Sequence, residues 1–487
     1  MSILNGHSKV TAPLLISIAL LCTGLFAQTL PGEGPALGTN RVTQQDIENG
    51  VYTHQQLRKR GREIFSTPFN ILDGLGEGER HPTIEESILT SGPYDPPTTE
   101  IRPTLQNNGI FLRVNGLDSQ TCLECHGILS NKSIPAKFGV GGVGGVGANA
   151  MGGATEIDVS DDLGLGYAFY NGRFINPPFV FGSGGIELLA REMTQDLAEF
   201  IEKAKENPGQ TINLNTHGVN FGSIVYNSTG GVFEPQAGGL NVSNVTGLET
   251  DPESPNFMKV APFGRKGEFL TTRDFDRGAM QFHFGMQPVE VPEVGTDDAD
   301  GDGVHNEILV GELSAMHVFS ATMERPYQEP TIGNGFTIFN NLGCADCHVP
   351  TLSTVSRYLP LEDPDGVQYY SIDLTAAPTS FSTSGTGVAV ALFSDLKRHN
   401  MGPDLAEETG GPLDPFFITA RLWGVADTAP YLHDGRASTL SEAILLHGGE
   451  AEYSAKLFKD LSVANKTSLL NYLRSLRTPT SVGTDLD

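Results

Sequence analysis

Cysteine is scarce in this chain, five among 487 residues, and four of the five sit in two copies of one pattern: Cys122-Leu-Glu-Cys125-His126 and Cys344-Ala-Asp-Cys347-His348. Only Cys22, in the extreme N-terminal segment, stands outside them. Basic residues are also few, 31 Lys and Arg against 58 Asp and Glu, and the formal charge of −27 excludes nucleic acid as a partner. No apolar run reaches the roughly 20 residues that a membrane-spanning helix needs. There is a single tryptophan, Trp423. Glycine and proline are in excess, 58 and 30 residues, together above the roughly 12% of average usage. That excess predicts long irregular connections, while 38% hydrophobic content is enough for folded cores in two or three domains.

The two Cys-x-x-Cys-His patterns have a chemical reason. Thiols three positions apart can form thioethers with the two vinyl groups of one porphyrin, and the adjacent imidazole then meets the iron. Two covalently bound haem c groups are therefore expected, on Cys122, Cys125, Cys344 and Cys347, with His126 and His348 as proximal ligands. A redox disulfide or a four-cysteine zinc site would also use paired cysteines, but neither explains a histidine directly after both pairs. Haem of this kind is attached after export in bacteria, and the N-terminus agrees. After His7 and Lys9, residues Ala12 to Ala27 are uncharged and apolar, like a secretory signal peptide. Cleavage after Ala27 is expected, giving a periplasmic protein without a free thiol; an uncleaved anchor stays open. Cys22 leaves with the signal, since Leu21 stands where a lipidated cysteine wants a small residue.

Along the chain, residues 28 to 50 read as a pliable arm, and Gln55 to Phe65 has helical spacing. A polar, Pro-rich region leads to Cys122. The glycine run from Gly139 to Gly153 lacks the Lys-Ser/Thr ending and the strand-to-helix context of a phosphate loop, so it reads as a loop beside haem or a linker. Ile186 to Lys205 is the clearest helix of the first half, with Leu189, Met193, Leu197, Phe200 and Ile201 on one face. Thr211 to Phe263 predicts short strands or hairpins. Gly335 to Phe339 forms a short helix leading into Leu342-Gly343-Cys344, much as Gly61 to Phe65 opens the first half, so a duplicated haem domain is expected. Leu440 to His447 and Asn465 to Leu476 supply closing helices. The expected fold is mainly α: a signal over 1–27, then two cytochrome c-like haem domains, 28–325 and 326–487, with long irregular and small β insertions.

Asp298, Asp300, Asp302 and Gly303, followed by Glu307, form a calcium-loop pattern in which alternating carboxylates converge on a hard cation and the glycine permits the turn. The register departs from an EF-hand, because Leu309 holds the twelfth position and Glu307 the tenth. A shorter calcium loop and an acidic solvated turn both fit.

Several segments together carry a family resemblance. Leu342-Gly343-Cys344-Ala345-Asp346-Cys347-His348-Val349-Pro350, His399-Asn400-Met401-Gly402-Pro403, Leu422-Trp423-Gly424, Tyr431-Leu432-His433-Asp434-Gly435-Arg436-Ala437 and His447-Gly448-Gly449-Glu450-Ala451 resemble the di-haem oxidoreductase family. That family is related to bacterial di-haem cytochrome c peroxidase and to the di-haem enzyme that matures methylamine dehydrogenase. The likeness is strong over about 335–477. In the first half it rests on Phe181-Gly182-Ser183-Gly184-Gly185-Ile186-Glu187 and the haem motif, and the 128–290 region departs from the shorter peroxidases.

The resemblance implies a ligand set. The distal ligand of the C-terminal haem falls fourteen residues after His433, at His447, where the peroxidases have methionine and the maturation enzyme tyrosine. Ligation by His348 and His447 would lower the potential relative to a His/Met haem. Met401 is a rival ligand or a haem-edge packing residue, and His433 a turn residue near the interdomain face. Thr428-Ala429-Pro430-Tyr431 is similar to the peroxidase segment whose Thr and Pro carbonyls bind calcium, which implies a second calcium at Thr428 and Pro430.

The implied activity is peroxidase-like. A small redox donor such as a cytochrome or cupredoxin reduces the C-terminal haem, electrons cross to the N-terminal haem, and hydrogen peroxide or another oxidant is reduced there. The acidic charge suits a basic donor, and equally suits simple solubility. A carboxylate near the reactive iron can shuttle the proton. Glu187 is the candidate and Glu192, before Met193 as in a peroxidase Glu-Met pair, the rival; Glu187 also reads as a helix-start carboxylate stabilised by the dipole. His283 is either a removable distal ligand or a buried, hydrogen-bonded histidine. Trp423 reads as packing ahead of an electron bridge. Two other classes stay open: a non-catalytic dihaem electron carrier, which would have two low-spin haems indifferent to peroxide, and an oxidase of a protein or organic substrate.

Overall fold

The computed structural model describes residues 34–75, 121–127, 157–158, 169–170, 176–227, 239–284, 286–291, 303–407 and 413–481. The apolar stretch 12–27 with Cys22, the glycine run 139–153, and Asp298, Asp300 and Asp302 lie outside these residues. Six helices are described in the first part of the chain: α1 (Gln44–Glu48), α2 (His54–Phe65), α3 (Cys122–Cys125), α4 (Ser183–Glu206), α5 (Thr272–Phe284) and α6 (Val310–Ala321). Thr53 starts α2 with a capping box, its hydroxyl accepting from the Gln56 amide while the Gln56 side chain accepts from the Thr53 amide. From α6 almost no polar face can be drawn, and the helix is buried along its length, as such a helix must be.

Helix α6 is the spine against which α1, α2, α4 and α5 pack. Two glycines let the backbones approach. A Cβ on Gly61 of α2 would sit 2.0 Å from the Ala315 carbonyl oxygen, and one on Gly184 of α4 would sit 2.2 Å from that of Ala321. Any side chain at either position would force the helices apart.

Strands are more numerous than the helical periodicity suggested. After the short pair β1 (Ile157–Asp158) and β2 (Phe169–Tyr170), β3 (Thr211–Thr216), β4 (Val219–Tyr226) and β5 (Leu240–Val245) form an antiparallel meander packed on α4. In β3 the alternation buries Ile212, Leu214 and Thr216 and exposes the residues between. The second part contains β6 (Tyr327–Gln328), α7 (Gly335–Asn341), β7 (Leu352–Ser353), the hairpin β8 (Tyr358–Glu362) and β9 (Gln368–Asp373), β10 (Ser382–Ser384), β11 (Gly387–Val390), and the pair β12 (Arg398–Asn400) and β13 (Phe416–Ile418). It closes with α8 (Leu440–Leu445), α9 (Glu452–Asp460), α10 (Val463–Leu473) and β14 (Leu476–Arg477), which pairs with β6.

The expectation of a mainly α fold is therefore corrected: the described residues are 33% helical and 19% strand, spread over six small sheets. The reason lies between residues 352 and 418, where short runs such as Tyr358-Leu-Pro-Leu-Glu362 bury Leu359 and Leu361 on one side of a hairpin. Runs of that length carry a weak signal beside two haem motifs and long helical repeats. These strands pack into the large core that also holds α2, α4 and α6, together with Trp423. A smaller core, built from Ile338, Phe339, Phe393, Phe458, Leu469 and Leu473 among others, serves α7 to α10. No helix among the described residues is long and apolar enough to cross a membrane.

Candidate functional site

Both Cys-x-x-Cys-His segments fold into the same local turn. At the second, Gly343 adopts φ +78°, a left-handed conformation that glycine tolerates, and ends α7 immediately before Cys344. Cys344–Asp346 then form one tight turn, and the His348 amide donates to the Cys344 carbonyl at 2.9 Å. At the first, the His126 amide donates to the Cys122 carbonyl at 2.7 Å, and the Thr121 hydroxyl donates to the Phe65 carbonyl at the end of α2. The side chain of Cys125 is outside the described residues.

The second turn borders a cavity of about 680 Å³, within the range of small-molecule sites. His447 faces His348 across it, with ring centres 6.4 Å apart at 60°. Two imidazoles binding one metal ion, each through a bond of about 2 Å, need a spacing of this order. Their other nitrogens are anchored: Nδ1 of His348 lies 3.2 Å from the Phe393 carbonyl oxygen, and Nδ1 of His447 lies 2.8 Å from that of Ala443. Such backbone acceptors fix the tautomer and leave Nε2 as the ligand atom. Phe393 presents its carbonyl from a backbone at φ +56°, uncommon outside glycine. Burial pushes the His348 imidazole down to about 4 and lowers that of His447, so both are neutral and fit to bind a metal. Burial also pushes the Cys344 thiol up to about 11; a thioether has no proton to lose there. Size, donor atoms and anchoring all fit a haem.

Met401 and His433 line the same cavity. His433 packs against Phe417 with ring centres 4.4 Å apart and planes tilted by 30°, and Glu407 and Asp434 lie at 3.9 and 3.8 Å, which ties it to the wall. His399 has a more defined place than its motif suggested. Its Nε2 lies 2.9 Å from Asp395, its Nδ1 2.8 Å from Glu450, and Cys347 Sγ is 3.9 Å away. Burial opposes its charge, but the bonds to Asp395 and to Cys347 as a free thiol prevail and raise it to about 11, and the Asp395 bond alone remains once Cys347 is a thioether. The four-residue spacing of Asp395 and His399 was the available sequence signal.

Around the first turn, the His126 ring is flanked by Phe65 and Phe275, each with ring centres 6.2 Å away. Glu187, 1% exposed, lies where α4, α5 and α6 meet. Its Oε2 accepts from the Thr272 amide at 3.1 Å and hydroxyl at 3.3 Å, and its Oε1 lies 2.9 Å from His317 Nε2. Burial acts to raise its pKa, and His317 and Thr272 reverse the balance, holding the carboxyl below its ordinary value. His317, a lone histidine in an apolar helix, carried no sequence signal of this role. The rival Glu192 is committed elsewhere: it accepts from the amides of Val355 and Ser356 at 2.7 and 2.8 Å and pins the chain after β7. The side chain of His283, on α5, is outside the described residues.

Of the acidic loop, Glu307 is described: it is buried, and its Oε2 accepts from the Gln287 amide at 2.8 Å. At the other candidate calcium position, Asn176 Nδ2 donates to the carbonyls of Pro430 at 2.8 Å and Leu432 at 2.9 Å. The Asn176 Oδ1 and Thr428 Oγ1 atoms are buried without a hydrogen-bond partner. Trp423 is buried with its ring over Gly182, where a Cβ would fall 2.7 Å away, and its environment is that of a packing residue.

Comparison with known proteins agrees with this site. Residues 312–476 match the family model described as "Di-haem oxidoreductase, putative peroxidase", a description that indicates a haem-dependent oxidoreductase. No curated protein matches the chain. Among solved structures, hydrazine synthase of Kuenenia stuttgartiensis, pressurised with xenon, aligns at 17% identity and a TM-score of 0.23, covering 37% of this chain and 59% of that one. The aligned part thus spans less than two thirds of the hydrazine synthase chain.

Proposed function

With residues 312–476 matching the di-haem oxidoreductases, we propose that this chain is an exported, periplasmic di-haem c-type peroxidase that takes electrons from a small redox protein and reduces hydrogen peroxide. Two electrons and two protons turn each peroxide into two waters. The observation that carries the reading is the cavity holding Cys344, Cys347, His348 and His447, with the two imidazole rings 6.4 Å apart, in a chain with a second turn of the same kind. Haem, when bound, supplies a redox-active iron that exchanges single electrons and, where an axial position is open, takes the oxidant.

The residues divide this work. His348 and His447 would together hold the iron of a C-terminal haem, which would suit that site to electron entry and close it to peroxide. Cys344 and Cys347 would fix the orientation of the group, as Cys122 and Cys125 would at the N-terminal site, where His126 would hold the iron. At that site Glu187 is held ionised by His317 and Thr272, so it can take a proton from one peroxide oxygen and return it to the other as the O–O bond breaks. Calcium at the Thr428 and Pro430 carbonyls belongs to the same reading. Turning the Asn176 amide over would set its Oδ1 beside the Pro430 and Leu432 carbonyls, a gathering of oxygens that suits a hard cation. Asp298, Asp300, Asp302 and Glu307 are a further calcium candidate on their ligand pattern.

The test is EPR of the oxidised and half-reduced holoprotein alongside peroxide consumption with a reduced cytochrome or cupredoxin. A high-spin or newly opened N-terminal haem with turnover is expected. Two low-spin haems in both states and no turnover would make the protein an electron carrier, and turnover restricted to an organic or protein substrate would make it an oxidase.

A further inference from the structure

Glu187 is not alone in its buried site. His317 Nε2 lies 2.9 Å from its Oε1, His317 Nδ1 lies 3.2 Å from the Tyr369 hydroxyl, and that hydroxyl lies 3.4 Å from the Ser314 carbonyl oxygen. Glu187 and His317 are each 1% exposed. The chain runs from α4 through α6 to β9, so three elements fix the geometry. It also has two proton arrangements. With neutral His317, Tyr369 donates to Nδ1; with His317 doubly protonated, Nδ1 donates to Tyr369, which donates on to Ser314. In both, Nε2–H donates to Glu187.

The groups facing Glu187 can be named element by element. Arg191 lies on its own helix, Asp276 on α5, His317 on α6 and Tyr369 on β9. Asp276 is 6% exposed, and its Oδ2 has no hydrogen-bond partner. Burial drives Asp276 well above its ordinary value, partly countered by Arg273 and reinforced by the Glu187 charge. Arg273 is itself engaged by Ser314 and Glu290. Two adjacent buried carboxyls therefore differ, and what separates them is that Glu187 has His317 and Thr272 as donors while Asp276 Oδ2 has none. A buried carboxylate without donors is costly.

We propose that His317, backed by Tyr369, is the positioning residue that keeps Glu187 an oriented anion at the start of α5, the helix whose Phe275 ring lies 6.2 Å from that of His126, so that the proton acceptor of the peroxidase reading depends on a histidine that does not itself meet the oxidant. The proposal rests on the peroxidase reading for its functional meaning, but the ionisation of Glu187 can be observed without turnover.

The experiment is infrared titration of the holoprotein and of His317→Leu, with the Glu187 bands assigned by their loss in Glu187→Gln. In wild type Glu187 is expected to absorb as a carboxylate at neutral pH. In His317→Leu its titration should rise by about 1–3 pH units, the usual effect of a close partner, and the acid limb of peroxide turnover should rise with it. His317→Gln, which retains an N–H donor, should restore part of the shift. Haem absorbance and Tm confirm that each variant is folded, and if His317→Leu fails to fold, His317→Gln and Tyr369→Phe carry the titration, with smaller upward shifts expected. An unchanged Glu187 titration in the folded variants would overturn the proposal. A shifted titration with no peroxide turnover in any form would overturn the peroxidase reading and leave the positioning role standing.

Discussion

Replacing His447 by alanine tests the C-terminal site most directly. In the structure its ring faces His348 at 6.4 Å, and its Nδ1 is held by the Ala443 carbonyl, so Nε2 is the atom left to bind a metal. Alanine removes that ligand while leaving the Cys344 and Cys347 attachment and the His348 anchor in place. One haem of two should then turn high-spin, so high-spin iron should account for about half of the total by EPR integration, in addition to any from the N-terminal site. The truncation also removes a half-buried ring from the cavity wall, which should lower Tm by less than the equivalent of about 2–5 kcal/mol, the cost of a core large-to-alanine change. Added imidazole should enter the vacated space and return the spectrum to low-spin. An unchanged low-spin spectrum in His447→Ala would refute the reasoning and pass the ligand role to Met401 or His433, which line the same cavity.

Further outcomes follow from the same contacts. Glu187→Gln, with both haems retained, should lose about 10²–10⁴-fold of peroxide turnover, the usual weight of a positioned acid–base group; full activity would end the catalytic role of Glu187. Gly61→Ala should lower Tm by the equivalent of about 1–3 kcal/mol, because its Cβ would meet the Ala315 carbonyl at 2.0 Å; an unchanged melting curve would show that α2 and α6 can part without cost. With Cys347 closed into a thioether, the bond to Asp395 still holds His399 above its ordinary 6.5, so its contribution to stability should be complete below pH 6.5 and decline as the pH rises through its raised pKa. His399→Asn should lack that alkaline decline in chemical denaturation measured across the range, and an identical slope in both proteins would exclude the Asp395–His399–Glu450 clamp as its source.

Much of the helical framework was legible. The apolar stripe of Ile186 to Lys205 lies within Ser183–Glu206, and the spacing of Gln55 to Phe65 within His54–Phe65, because an amphipathic repeat over three turns has few other solutions. The hairpin that begins at Tyr358 was not legible in the same way: Tyr358–Glu362 and Gln368–Asp373 are strands too short to declare themselves, and they take their form from the core they help to close. His317 and Asn176 were invisible for a related reason. Each is an isolated polar residue whose partners, Glu187 at one and the Pro430 and Leu432 carbonyls at the other, are more than a hundred residues away in the chain.

Local chemistry can be read from order alone. Two thiols and an imidazole within five residues close the same histidine-amide to cysteine-carbonyl bond at both motifs, and the sequence by itself determined that pattern and the acidity of the whole. Which imidazole faces His348, which donors hold Glu187 as an anion, and whether the fold is helical or mixed were decided by tertiary structure, because each depends on groups brought together from separate elements and on the burial that makes their pairing matter.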